Sequence, residues 1–473
     1  MTRVTGMDVM FLYGESGNWP FYVGVLTLLD ASTAPGGFDP DKLRALFKER
    51  LALAPQFRWR VRDVALGFDN PVFVEDERFD VDHHFHHIEV ARPGTQRQLA
   101  DLAGRLMTSP LDRSRPLWDM WLIGGLEDGR FALLTKIHHA VIDGISGADL
   151  AGLIMDLEPV PAPREAATLM PPEPPPSLAA SAAGAIGHAI LSPVRTARYA
   201  MQFAQQAAIF GRHMLGGTAA GLPFFTARSR LNGALTPRRD LSFASVPLDE
   251  VLRVKDAFGV KVNDVVLGLV GEALRSWLDD RGELPGRALV AEVPVSIRTA
   301  ATRHDVGSRV ANSFVSLATN IGDPGERLRA IHRSSQDAKA MQRDFATCKR
   351  VNLSDVPAPA LLGLAVRAFA ATGLDARIPP IYSAIVSSIP GPAIDFYMAG
   401  AKVNAIYPMG PLMYASGLTV AALTLGDQIH FGLVTCPDLV SDGWAIADRL
   451  QGALAQLAGA IPTAGDDSIA TGA

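Results

Sequence analysis

Two adjacent histidines followed by an Asp-Gly pair form the densest chemical signal in the chain. The segment KIHHAVIDGISG sets His138, His139, Asp143 and Gly144 in the spacing HHxxxDG. A neutral imidazole near pH 7 is well suited to accept a hydroxyl proton in a transition state and return it to a leaving group. An Asp close by suits hydrogen bonds that hold a loop or the ring. Gly144 permits backbone angles and close approaches that other residues resist. The same letters also fit a satisfied pair of core histidines followed by an ordinary Asp-Gly turn. Context favours chemistry: the strand-like FALLTKI ends at the histidines, and Gly144 and Gly147 lead into the helix-like SGADLAGLI. Side chains where a strand gives way to a loop commonly face a cleft.

Other candidates carry less. VDHHFHHIEV holds His83, His84, His86 and His87. In a strand their side chains alternate between faces, and no Cys or suitably spaced Glu joins them, so no metal site is expected. No GxxxxGK[ST], no GxGxxG opening a helix after a strand and no GxSxG is present. Phosphate cradling by a P-loop or a dinucleotide turn is therefore not expected, nor is a serine-hydrolase elbow. Arg298 ends the apolar strand LVAEVPVSIR, where a bidentate pair with Asp143 and a solvated strand end are equally open. Asn263 reads as the N-cap of a helix beginning near Asp264. Trp118 reads first as core packing.

The elements that must position these groups alternate in type. Residues 21–30, 131–137, 241–247, 288–297, 311–320, 381–389 and pieces of 401–436 read as strands. Pro40–Leu53, Thr95–Met107 and the stretches 263–279, 325–345 and 441–460 carry helical spacing. This is an α/β pattern. Between its two halves, residues 159–176 hold eight prolines in eighteen positions and cannot form regular structure. The organisation expected is an N-terminal domain over 1–158, a connector over 159–239, a C-terminal domain over 240–460 and a flexible tail over 461–473. A chain of 473 residues with 48% hydrophobic and 20% charged residues has ample apolar area for two cores, which excludes disorder as its main state. A net charge of −5 argues against a nucleic-acid binder. Two cysteines without metal-ligand neighbours give no disulfide framework. The opening lacks signal-peptide character and no stretch supplies a spanning helix. A cytoplasmic protein is expected.

The HHxxxDG segment resembles the active-site motif of the CoA-dependent acyltransferase superfamily, which includes chloramphenicol acetyltransferases and peptide-synthetase condensation domains. The wider match is to the bacterial wax ester synthase/diacylglycerol acyltransferase family. Similar to that family, in collinear order, are MDVMFLY, PLDRSRPLWDMWLIGGL, LNGALTPRRDL, VNDVVLGLVGEALR, VPVSIR and SSIPGP. One departure is Ser388, where Asn is common in the family. The resemblance implies two chloramphenicol-acetyltransferase-like domains with mixed sheets and a tunnel at their interface. It implies His139 as catalytic base, with His138 and Gly144 shaping the site and Asp143 organising it. Pro116, Leu117 and Trp118 match the family's PLW element, and Asn263 and Asp264 its ND element. The implied reaction transfers a long-chain acyl group from acyl-CoA, a substrate, to diacylglycerol or a fatty alcohol, with no resident cofactor. Asn312, Ser387, Ser388 and backbone N–H groups near Gly144 are open as oxyanion donors. A carrier-protein-dependent condensation or polyketide-associated acyltransferase, and a non-catalytic lipid-surface role on the same scaffold, are the rival readings.

The connector adds a last expectation. From Pro174 to Arg239 the chain has no acidic residue and no lysine, yet it has seven arginines: Arg195, Arg198, Arg212, Arg228, Arg230, Arg238 and Arg239. On a helical projection Arg195, Arg198, Gln202, Gln205 and Arg212 form a polar stripe opposite Tyr199, Phe203, Phe210 and Met214. Such a helix suits peripheral contact with an anionic membrane or lipid droplet, and equally suits packing between domains.

Overall fold

The computed structural model describes residues 2–4, 7–51, 54–63, 70–142, 152–161, 197, 201–202, 204–209, 211–213, 215, 226–296, 310–347, 359–374 and 377–461. Asp143, Gly144, Arg298 and the tail from 462 onward lie outside them, as do Arg195, Arg198, Tyr199, Phe203, Phe210 and Met214.

Fifteen strands are described: β1 Thr2–Arg3, β2 Tyr22–Asp30, β3 Trp59–Arg62, β4 Val72–Glu75, β5 Phe85–Glu89, β6 Trp118–Gly124, β7 Phe131–His138, β8 Asp240–Pro247, β9 Val290–Ser296, β10 Val310–Ser316, β11 Ala384–Ile389, β12 Tyr397–Met398, β13 Ala401–Met409, β14 Leu418–Leu425 and β15 Gln428–Thr435. They form two six-stranded sheets, ordered β12-β13-β2-β7-β6-β5 and β10-β9-β11-β14-β15-β8, and a small sheet β1-β4-β3. Both large sheets are mixed: β5 runs parallel to β6, and β11 runs parallel to β9 and β14. β2 and β7 lie inside their sheet and are buried along most of their length, so they read as near-continuous apolar runs.

The helix Gln96–Thr108 shows how local sequence sets the elements. Thr95 caps it by accepting the Gln98 N–H at 3.2 Å, and Gln98 Oε1 accepts the Thr95 N–H at 2.9 Å. Its apolar side, including Leu99, Ala103 and Met107, is buried. Gly104 approaches the other half of the chain so closely that a Cβ there would lie 2.6 Å from the Arg239 carbonyl. In the C-terminal half, the helix Val262–Asp279 supplies much of the second core, with Leu267, Val270, Leu274 and Trp277 fully buried or nearly so.

The expected helix at 441–460 is divided into Trp444–Ala447 and Arg449–Gly459. Helices Met7–Gly14, Leu248–Phe258 and Pro359–Ala371 and strand β6 were not among the expected elements.

One connection breaks the linear order of the halves. β12 and β13 come from the C-terminal half yet belong to the N-terminal sheet, where β13 pairs antiparallel with β2 from Lys402↔Asp30 to Met409↔Gly24. β13 also packs on β14 and β15 of the other sheet. A Cβ on Gly432 would lie 2.1 Å from the Pro408 carbonyl, so only glycine lets β15 approach β13 this closely. The crossover is anchored to the first half by Asp156. Its backbone exchanges two 2.8 Å hydrogen bonds with Tyr397, and its two carboxylate oxygens accept from one guanidinium nitrogen of Arg50 at 2.7 and 2.8 Å. Both side chains are buried.

Candidate active site

The two histidines face different surroundings. His138 ends β7 and is 1% exposed; its backbone N–H donates to the Leu117 carbonyl at 2.9 Å. Its Nδ1 accepts the Ala140 N–H at 3.1 Å, which places the proton of the neutral ring on Nε2. Burial first, then the charges of Arg113 and His139, holds its pKa well below the ordinary histidine value. The Tyr22 ring meets it edge-on at 5.9 Å. His139 opens a short helix, His139–Ile142, and its backbone N–H donates to the Phe21 carbonyl at 2.8 Å. Its ring is half-buried, packs 4.2 Å from the Phe11 ring and lines a cavity of about 370 Å³.

That cavity lies between the halves. Phe11, Val23 and His139 form one wall, and the crossover residues Pro408, Met409 and Met413 form another. The third is one face of the C-terminal sheet: Glu292 and Pro294 on β9, Asn312 on β10, Ile385, Ser387 and Ile389 on β11, and Thr419 and Ala421 on β14. The alternation of side chains along a strand explains why Ser387 lines the cavity and its neighbour Ser388 does not. Asn312 is exposed on the edge strand, and its carbonyl accepts from Gln342 Nε2 at 2.8 Å.

The PLW element lies behind the histidines. Pro116, Leu117 and Trp118 are buried, and Trp118 is 0% exposed. Trp118 Nε1 donates to the Phe57 carbonyl at 2.8 Å, and its ring stacks on His84 at 4.4 Å and meets Phe57 edge-on at 5.6 Å. Its role is packing, while the Leu117 carbonyl fixes the end of β7. His84 is therefore a core residue, with Nδ1 2.7 Å from the Trp118 carbonyl. Among the described residues no group of three or more His, Cys, Asp or Glu is placed to hold a metal ion.

The ND pair departs from its expected local role. The N-cap position belongs to Lys261, and Asn263 sits inside the first turn. Asp264 provides the capping contact: its Oδ2 accepts the Lys261 N–H at 3.1 Å and lies 2.7 Å from His332 Nδ1. A buried carboxylate at the third helical position satisfies the helix start, leaving Asn263 without that task. Neither residue lines the cavity.

Around the site, buried Lys136 and Glu292 escaped the sequence reading. Lys136 is 1% exposed, donates to the carbonyls of Leu106 and Ser109 and lies 4.4 Å from the Tyr22 ring centre. Burial lowers its pKa to about 8. It ties β7 to the segment leading into PLW. The other is Glu292; its signal was a lone acid within an apolar strand.

The connector also differs from its helical projection. Its described residues between 201 and 215 are helical; Gln202, expected on the polar stripe, is buried, while Met201 is 63% and Leu215 92% exposed. Nor are all its arginines solvated. Arg230 pairs with Glu283 and Arg238 with Asp438, while Arg239 is buried and donates to the Asn18 carbonyl at 2.6 Å.

Two mixed sheets that share a crossover strand around a histidine-lined cavity define the two-domain chloramphenicol-acetyltransferase-like class. The wax ester synthase/diacylglycerol acyltransferase catalytic domain matches residues 4–266, and the C-terminal domain of the same family matches residues 306–458. A Mycobacterium tuberculosis protein named as a diacylglycerol O-acyltransferase is 33% identical over 467 residues, covering 97% of this chain and 90% of its own. The wax ester synthase/diacylglycerol acyltransferase of Marinobacter aquaeolei superposes with a TM-score of 0.66 at 26% identity, over 97% of this chain and 100% of that one. A condensation domain of the calcium-dependent antibiotic synthetase shares the fold, with a TM-score of 0.54 at 13% identity over 94% of this chain and 93% of that one. This chain belongs to the wax ester synthase/diacylglycerol acyltransferase family.

Proposed function

We propose that the protein is an O-acyltransferase that moves a long-chain acyl group from acyl-CoA to a lipid alcohol. The acceptor is diacylglycerol, giving triacylglycerol, or a fatty alcohol, giving wax ester; acyl-CoA is a substrate, and no resident cofactor takes part. The observation that carries the reading is the placement of His139 in a mostly apolar cavity between the two halves, within a chain of this family. His139 takes the proton of the acceptor hydroxyl as that oxygen attacks the thioester carbonyl. The tetrahedral intermediate then expels CoA thiolate, which recovers the proton from the imidazolium, leaving an ester and free CoA. Asn312 and Ser387 line the same cavity and are the donors assigned to the developing oxyanion. Of the two serines, the reading rests on Ser387, which lines the cavity, rather than on Ser388, which does not. Full-length family membership favours acyl-CoA and a lipid acceptor over a carrier-protein donor.

The test is a purified-enzyme assay with palmitoyl-CoA, offering diacylglycerol and hexadecanol singly and in competition. Ester formation with either acceptor supports the reading, and activity only with an acyl-carrier protein overturns it. Peripheral contact with a membrane or lipid droplet belongs to the same proposal, because the lipid acceptor and the ester product are insoluble in water. Exposed Met201 and Leu215 on the connector support it. Flotation with vesicles that is unaltered by Met201→Glu and Leu215→Glu together would remove that part. Among the described residues no helix is long and apolar enough to cross a membrane.

A further inference from the structure

The cavity contains an ionisable group for which the reaction at His139 has no use. Glu292 sits in the apolar strand LVAEVPVS, is 3% exposed and lines the cavity with His139. Register places it between Phe314 on β10 and Ile385 on β11. The Tyr382 hydroxyl donates to the Met413 carbonyl at 3.3 Å and lies beside the Glu292 carboxyl, whose ionised form it favours. Its Oε2 has no hydrogen-bond partner among the described residues. Burial pushes its pKa up to about 7, so near neutrality a large share of the carboxyl is protonated and can both donate and accept. A half-satisfied buried carboxyl opposes folding, and an aliphatic side chain would serve the strand better. A ligand oxygen in the cavity would complete its hydrogen bonds.

The donor substrate is poorly matched to this group. CoA brings phosphates, which a partly ionised carboxyl repels, and the acyl chain brings only methylenes; the amides of the pantetheine arm are the donor's one match, and the KM for palmitoyl-CoA tests them. The acceptor is uncharged, and when it is a glyceride it carries ester oxygens beside the reacting hydroxyl. Resting on the acyl-transfer reading above, we infer that Glu292 is a specificity-determining residue. Its carboxyl hydrogen-bonds a second polar group of the acceptor and thereby favours acceptors with an ester or polyol backbone over a simple long-chain alcohol.

The experiment compares wild type, Glu292→Leu and Glu292→Gln with palmitoyl-CoA and three acceptors: hexadecanol, 1,2-hexadecanediol and 1,2-dioleoylglycerol. The Leu variant should lose at least about tenfold in kcat/KM for the diol and the diacylglycerol relative to hexadecanol. Its KM for palmitoyl-CoA should stay unchanged. The Gln variant keeps hydrogen-bonding capacity and should stay within about threefold of wild type on every acceptor. Equal loss on all three acceptors with the Leu variant, or a rise confined to the KM for palmitoyl-CoA, overturns the inference. If wild type acylates hexadecanol but not diacylglycerol, the glyceride reading fails, while the ratio of diol to hexadecanol still decides the role of Glu292. Thermal melting should place the Leu variant at or above wild type; if it does not fold, Glu292→Met is read by the same ratio.

Discussion

On the N-terminal side of the cavity the groups assigned to proton transfer come from one short stretch of chain. On the C-terminal side Glu292, Asn312, Ser387 and Thr419 come from four different strands and share only a sheet face. The first side is held from behind: Leu117 and Phe21 fix the two histidines through their backbone N–H groups, and Lys136 fixes the segment before PLW. On the second side Gln342 holds the Asn312 carbonyl and Thr419 donates to the Pro411 carbonyl, and the groups look into the cavity from a mostly apolar surface. Proton transfer needs one group with its surroundings fixed, whereas recognition of a long flexible substrate works through dispersed contacts on a wide face. The two sides match those separate needs.

The sharpest way to break this comparison is at the histidines. His139→Ala should lower turnover by about 10²–10⁴-fold while the fold persists, since its ring borders the cavity. His138→Ala should instead act through stability, because its ring is wholly buried. Steady-state rates and urea unfolding of the two variants check this, and the reverse pattern would exchange the two assignments.

A large effect on stability is expected where the crossover is anchored. Arg50→Ala leaves the Asp156 carboxylate buried without its guanidinium, at a cost of about 3–5 kcal/mol by urea denaturation. Replacing both partners with apolar residues should restore much of that loss. If Arg50→Ala proves nearly neutral, the crossover is held by its strand pairing alone.

Glu292 gives the C-terminal side a signature in pH. Its carboxyl stays protonated in the folded protein up to about pH 7, while the unfolded chain ionises near 4.5. The associated stability is therefore fully present below pH 4.5 and is lost as pH rises through 7, a change of up to about 3 kcal/mol. Glu292→Gln should abolish that slope. Parallel stability–pH curves for the two proteins would show that the carboxyl is solvated. The smallest effect is expected at the contact between the sheets. Gly432→Ala forces β15 away from the Pro408 carbonyl and should cost about 1–3 kcal/mol. An unchanged melting point would mean that this approach is looser than it looks.

The legible parts of the molecule were those whose information is local. HHxxxDG at the end of an apolar strand marked the site, and Thr95 with the amphipathic run behind it marked a helix. The partner of β13 was illegible, because an apolar strand records that it is buried without recording which strand lies beside it. Asn263 misled for a related reason. Its residue type suits capping, but the helix starts two residues earlier than its letter implies, and Asp264 serves from inside. Glu292 was visible only as an anomaly in an apolar run, and its meaning depends on three other strands. Asp143, Gly144 and Arg298 belong to the reading of the motif and lie outside the described residues.

The crossover also sets the order in which the protein can be completed as it is made. β2 and β7 leave the ribosome early, yet the strand that covers the outer edge of β2 ends at Met409. At about 5–20 residues per second, roughly 15–50 s pass between synthesis of His138 and of Met409. Throughout that time the first sheet carries an unpaired apolar edge, the kind of surface on which strands from other chains add. The sheet that holds His139 is thus finished by a strand synthesised about 270 residues after it.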